Sequence, residues 1–188
     1  FIAVHAVHLN QEEVTVFARH GCSVAHCPSS NLKLASGIAP VAALLQAGVN
    51  IGLGTDGAAS NNRLDLFTEM RLAALLAKGV SGDPTVMPAH QALECATLGG
   101  ARALGLQDRI GSIKPGKLAD LTAVKLSSVE LSPCYDPISH LIYAAGREHV
   151  TDVWVGGAQR VKNGALLTLH DIDLTNRAHQ WQKKIRPS

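Results

Sequence analysis

Three polar residues stand where short apolar runs give out: His5 after Ile2-Ala3-Val4, His26 after Ser23-Val24-Ala25, and Asp56 after Val49-Asn50-Ile51-Gly52-Leu53. Asp56 lies in the small, polar stretch Gly54-Thr55-Asp56-Gly57-Ala58-Ala59-Ser60-Asn61-Asn62. On a parallel α/β scaffold such as a (β/α)8 barrel, the carboxyl ends of the strands open onto one face. Residues far apart in sequence converge there. Imidazole and carboxylate are usual ligands of a divalent metal such as Zn2+, and a carboxylate beside the metal can take the proton of the water it activates. The same residues allow a structural reading. Asp56 can cap its loop or the next helix, and a histidine at a strand end can be a hydrogen-bonded part of the core. One Asp and two His, with no HxH pair, leave both readings open. His8 fits the structural reading, and His20, His90, His149, His170 and His179 are given no role.

The elements that must position these residues follow from hydrophobic pattern and punctuation. Ile2–Val4 reads as a buried strand. Asn10 with Glu13 forms a capping-box signature for a helix over 11–20, stopped by Gly21. Cys22–Ala25 is a second strand, followed by a turn at Pro28-Ser29-Ser30-Asn31. Pro40 opens a helix to Gln46, stopped by Gly48, and Val49–Leu53 is a third strand. A long amphipathic helix is expected over about Leu64–Lys78. Apolar strands alternating with helices through short connections imply parallel βαβ units. Pro88–Leu98 and Gly100–Leu104 read as two more helices. Beyond the turn cluster Gly111–Lys117, strands are expected at Leu118–Val124, Val150–Val155 and Ala158–Lys162. Gly156-Gly157 makes a hairpin between the last two, and Leu174–Ile185 is a closing helix.

Composition bounds the class. Of 188 residues, 46% are hydrophobic and 17% charged, which suits a packed core. The formal charge of +2, from 17 basic and 15 acidic residues, gives no reason to expect a nucleic-acid or membrane partner. Arg177, Lys183, Lys184 and Arg186 form a mildly basic helix face. Cys22, Cys27, Cys95 and Cys134 are scattered without a CxxC pair, so reduced thiols in a cytoplasmic protein are expected. The sequence starts inside a strand-like run without an initiator Met, and is expected to be part of a longer protein.

The segments His5-Ala6-Val7-His8-Leu9, Ser23 through Gly37 (with Ser29-Ser30-Asn31-Leu32-Lys33-Leu34) and Gly54 through Asn62 resemble the amidohydrolase superfamily. Within it, they are similar to the branch of 5-methylthioadenosine/S-adenosylhomocysteine deaminases. The likeness continues through Glu69-Met70-Arg71, the turn at Gly111–Lys117, Ala119-Asp120-Leu121 and Val153-Trp154-Val155-Gly156-Gly157, and so covers effectively the whole chain.

The resemblance implies an α/β fold: residues 1–106 as the C-terminal part (strands six to eight) of a (β/α)8 metal-dependent hydrolase barrel, and 107–188 as part of a small β-sandwich domain with a closing helix. It implies that Asp56 is a metal ligand and handles the proton of the attacking water, and that His5 orients that water. His26, Ser29 and Asn31 fall in the strand-seven motif with supporting or pocket-shaping roles, His26 among the substrate contacts. Ser60 and Asn61 are expected, with Asp56, to touch the substrate. One divalent metal, zinc, is implied. The family's HxH pair and its strand-five histidine with a nearby glutamate have no counterpart here, so the 188 residues alone are expected to be inactive. The implied reaction is hydrolytic deamination of the adenine ring, with Leu32, Leu34 and Ile38 beside the thioether arm. Alternatives are a related hydrolase acting on guanine, a pterin or a chlorotriazine, or a non-catalytic binding module. The expected partners are a nucleoside, and either further copies of the protein or its missing N-terminal half.

Overall fold

The chain's first three strands are parallel and adjacent in sequence order. In the computed structural model, which describes residues 1–185, β1 (Ile2–Val4), β2 (Ser23–His26) and β3 (Asn50–Leu53) form one sheet. Ala3 lies opposite Val24, and Val24 opposite Ile51. Parallel strands need a crossover between them. Here α1 (Gln11–Arg19) joins β1 to β2, while α2 (Pro28–Lys33) and α3 (Val41–Gln46) join β2 to β3. The expected capping box is present, Asn10 and Glu13 each bonding the other's backbone N–H. Val24 and Ile51 meet Val14 of α1 and Leu44 of α3 in one buried cluster. That burial fixes the crossover helices against the sheet.

The sequence reading puts a turn at residues 28–31, but the segment is helical. Pro28 occupies the first helical turn, where its missing N–H costs nothing. Downstream, α4 (Leu66–Ser81) starts at Asp65, whose carboxylate accepts the Phe67 N–H, and stops at Gly82 with φ +68°.

The two helices expected over 88–104 are one continuous coil. There α5 (Ala89–Glu94) passes through a π turn at Cys95–Gly99 into α6 (Gly100–Ala103). This stretch lies directly on β3. A Cβ on Gly99 would overlap the Ile51 carbonyl, and one on Gly52 would stand 2.9 Å from Gly100 Cα. Only glycine permits that approach, and π turns arise where a helix must adjust to a neighbour.

Two compact units divide the chain: 1–117 with 126–149, and 118–125 with 150–188. The first takes in α7 (Pro137–Tyr143), which packs on α4 and α5. Arg71 of α4 donates to the Ile142 and Ala145 carbonyls at its end. The sequence reading groups 107–149 with the β segments; it finds no element over 125–149, where α7 carries only a short apolar pattern.

The second unit is an antiparallel meander of β4 (Leu121–Val124), β5 (Val150–Val155), β6 (Ala158–Lys162) and β7 (Ala165–Leu166). Gly156-Gly157 turns β5 into β6, with φ of +56° and +81°. Asn163-Gly164 makes a second such turn into β7, at φ +49° and +78°. Helix α8 (Asp171–Ile185) follows, carrying Arg177, Lys183 and Lys184 on an exposed surface; Arg186 lies outside the described residues. Among the described residues, no helix is long and apolar enough to cross a membrane.

Candidate active site at the strand ends

His5, His26 and Asp56 follow or close the three parallel strands, and two of them meet. His5 Nε2 lies 3.8 Å from Asp56 Oδ2. Both residues leave their strands with left-handed backbone, φ +67° at His5 and +58° at Asp56. Such conformations are uncommon for residues with a side chain. They persist where the surroundings over-determine them, as happens at functional sites.

Asp56 is held by two hydroxyls on the same oxygen. Ser30 Oγ and Ser60 Oγ each donate to Oδ2 at 2.7 Å. These bonds, first Ser30 and then Ser60, with the Gly57 N–H and the nearby His5, hold the carboxyl down at about 2, well below the usual carboxylate range. Asp56 is exposed, so the anion faces outward from its anchors. Ser30, which contributes one of the two anchors, was not picked out from the sequence, since nothing distinguishes it there from Ser29 or Asn31 in the same run.

His5 is aimed by Asn31. His5 Nδ1 lies 2.8 Å from Asn31 Oδ1. With Oδ1 as acceptor, Nδ1 carries a proton, and Nε2 is the ring nitrogen turned toward Asp56. Asn31 is itself buried, and its Nδ2 has no partner among the described residues.

His26 is placed differently. It is 1% exposed, and neither ring nitrogen has a partner among the described residues. Burial, reinforced by the nearby His5, lowers its pKa to about 4, so the ring is neutral at physiological pH. Next to it, burial and the Asp56 and Glu69 carboxylates push the Cys27 thiol up to about 11, which leaves it unreactive. The β2–β3 ladder continues one step beyond the strands, with the Gly54 N–H donating to the His26 carbonyl at 3.0 Å. Close approach explains the glycine, since a Cβ there would stand 3.2 Å from Cys27 Sγ.

Asn61 is turned inward. Its Nδ2 donates to Glu69 Oε1 at 2.7 Å, and its Oδ1 accepts the N–H groups of Arg63 and Leu64. Lys33 ties the same loop from outside, donating to the Ala59 carbonyl and Asn62 Oδ1. The sequence reading places Glu69 only within the matched run Glu69-Met70-Arg71 and gives it no role. Its only signal is position: an acid in phase with the buried Met70, Ala73, Ala74 and Ala77 of α4.

The model of the amidohydrolase family matches residues 1–160 of this chain. The chain belongs to the amidohydrolase family. Among its curated relatives, proteins named 5-methylthioadenosine/S-adenosylhomocysteine deaminase from Teredinibacter turnerae and Moorella thermoacetica are 48% and 51% identical, over 96% and 95% of this chain. The chain spans 42% and 43% of the length of these two relatives. Among solved amidohydrolase-fold structures, an adenosine deaminase from Xanthomonas campestris with bound zinc superposes with TM-score 0.97 at 52% identity, over 98% of this chain and 42% of its own. An atrazine chlorohydrolase from Arthrobacter aurescens, also with zinc, superposes with TM-score 0.89 at 30% identity, over 95% of this chain and 40% of its own.

For an amidohydrolase metal, the residues present fit as one corner. Asp56 offers an anionic carboxylate whose two hydroxyl anchors share one oxygen, and His5 offers an oriented ring nitrogen. Among the described residues, no group of three or more His, Cys, Asp or Glu could hold the ion by itself.

Proposed function

We propose that the complete protein is a zinc-dependent amidohydrolase that deaminates the adenine ring of 5-methylthioadenosine and S-adenosylhomocysteine, giving the inosine analogues and ammonia. The observation that carries this reading is the His5–Asp56 pair, 3.8 Å apart at the ends of parallel strands. Its setting is a chain 48% identical to a relative of that name.

In this proposal β1, β2 and β3 are strands six, seven and eight of a (β/α)8 barrel, and the meander is part of a small β-sandwich. Residues 1–106 supply the barrel part, and α7 joins them by its packing on α4. Asp56 would hold the zinc together with ligands from the rest of the protein. When bound, the metal supplies Lewis acidity that acidifies water and stabilises developing negative charge.

Asp56 takes one proton from the attacking water as its oxygen bonds to C6, and ring N1 takes up a proton from an acid supplied by the rest of the protein. His5, with Nδ1 committed to Asn31, presents Nε2 to that water and fixes its direction. Asp56 then gives its proton to N6, the C6–N6 bond breaks, and ammonia leaves. The second water proton, still on the C6 oxygen, passes to the acid that protonated N1 and leaves C6=O.

Ser30 and Ser60 keep Asp56 ionised and aimed, and Ser60, which the sequence reading puts against substrate, is given this place because it is buried. His26 and Asn61, which the sequence reading puts against substrate, are given supporting places because both are buried. The exposed Leu32, Leu34 and Ile38 form an apolar wall for the thioether arm. Exposed Phe1 and Val4 suit cover by the rest of the protein or by another copy.

The likeness to the chlorohydrolase favours a second reading, hydrolysis of a chlorotriazine. The test is product release by the zinc-loaded complete protein. Ammonia from 5-methylthioadenosine, and little turnover of guanine or a chlorotriazine, is expected. Turnover of only the latter two, or of nothing, would overturn the assignment.

A further inference from the structure

We infer that Glu69 is a positioning residue of this site: its buried carboxylate clamps the start of α2 to the loop after β3 and thereby sets the two hydroxyls that aim Asp56. Glu69 is 0% exposed. Its Oε2 accepts the Ser29 N–H at 3.0 Å and its Oε1 accepts Asn61 Nδ2–H at 2.7 Å. The residues next in sequence to these two partners are Ser30 and Ser60, the donors to Asp56 Oδ2. One carboxylate on α4 therefore fixes both segments on which the aim of Asp56 depends.

The chemistry of the clamp argues against a merely packed residue. Among the described residues, no Lys, Arg or His forms an ion pair with Glu69. A buried carboxylate satisfied only by neutral donors carries a desolvation cost that an apolar side chain on this face of α4 would avoid. What the carboxylate supplies is two acceptors held at a fixed separation. A backbone N–H, and a side-chain amide whose own Oδ1 accepts the Arg63 and Leu64 N–H groups, are both satisfied by it. Lys33 makes a parallel strap between the same segments, but from the exposed side. It can stretch without burying an unpaired group, whereas the Glu69 clamp cannot.

The Asn61 bond has a direction that can be reversed. Glu69→Gln alone sets an amide N–H against either the Ser29 N–H or the Asn61 amide, breaking one arm. Adding Asn61→Asp lets the new amide donate to the new carboxylate. The carboxylate's other oxygen still accepts the Arg63 and Leu64 N–H groups, and net charge is unchanged.

This inference rests on the reading of Asp56 as the reacting corner. The test therefore has two arms, both on the complete protein. With zinc loaded and 5-methylthioadenosine as substrate, Glu69→Gln is expected to lower kcat about 10- to 100-fold, the scale of a small misplacement, with KM and bound zinc changed less than about twofold. Glu69→Gln with Asn61→Asp should recover at least about tenfold of a hundredfold loss.

In the metal-free protein, the Ser29 and Asn61 amides should exchange faster in Glu69→Gln while Ala73 and Ala74 of α4 keep their protection, and the double variant should restore it. An unchanged kcat, a loss that the double variant does not recover, or faster exchange along all of α4 would each overturn the clamp. If the unsubstituted protein releases no ammonia, the functional assignment fails, and the exchange pattern alone decides whether Glu69 holds the two segments.

Discussion

β3 meets two different demands within a few residues. Along its body, at Asn50–Gly52, it is packed so tightly on the π turn and α6 that glycine faces glycine, and Asn50 ties itself to Ser23 Oγ and the Gly99 carbonyl. Just beyond its end, from Gly54 to Asn62, the chain is polar, bent into left-handed backbone at Asp56, and held by side-chain bonds from α2 and α4. The body tolerates no added atom. The end carries an exposed anion and relies on neighbours for its shape. The contrast teaches that the scaffold's rigidity is concentrated next to the group that must be aimed, a common division of labour in α/β folds.

Substitutions at the two ends should therefore separate activity from stability. His5→Ala, at the reacting end, should lower turnover by the complete protein roughly a thousandfold, within the range for loss of a general acid–base or water-orienting group. It should leave most of the zinc bound and the unfolding midpoint little changed. Parallel loss of metal would make His5 a ligand and weaken the contrast. Gly99→Ala, at the packed body, should do the opposite. Its Cβ would overlap the Ile51 carbonyl, so a loss of about 3 kcal/mol in denaturant-measured stability is expected, on the scale of severe overpacking. Turnover per folded molecule should be retained.

His26 sits between the two regimes, and pH probes it. Its folded pKa of about 4 lies below the ordinary 6.5, so the unfolded chain binds more protons between those values. Stability from this residue is therefore full above 6.5 and is lost as pH falls toward 4. The share lost by about pH 5 is roughly 2 kcal/mol. In His26→Asn the acid-side fall in denaturant-measured unfolding free energy should be smaller by that amount, and an identical pH profile would place the ring in a wetter setting than its burial indicates.

Much of the packed scaffold was legible because it is written in local rules. The Asn10/Glu13 capping box, the Gly48 and Gly156-Gly157 punctuation and the apolar runs of β1 to β3 each need only neighbours in sequence. Asp56 and His5 were legible as strand ends. What holds them was not. The resemblance gives Asn31 a supporting role, but Ser30 and Glu69 act across 26 and 40 residues of sequence, and a serine among serines or an acid on a helix shows nothing of a partner that distant. The π turn was hidden for a similar reason, since Gly99 and Gly100 look like a helix break until β3 is laid against them. In α7, seven residues capped by Asp136 were too short for periodicity to declare.

The central claim is that the Asp56 carboxylate is the proton-handling corner of an amidohydrolase site rather than a loop cap, and Asp56→Asn in the complete protein tests it most directly. The amide keeps the shape and can still accept from Ser30 and Ser60, but it cannot take a proton from water. Steady-state ammonia release from 5-methylthioadenosine should fall below detection while the circular dichroism spectrum and unfolding midpoint stay near those of the unsubstituted protein. Turnover within about tenfold of the parent, well short of the loss expected for a required proton acceptor, would contradict the account.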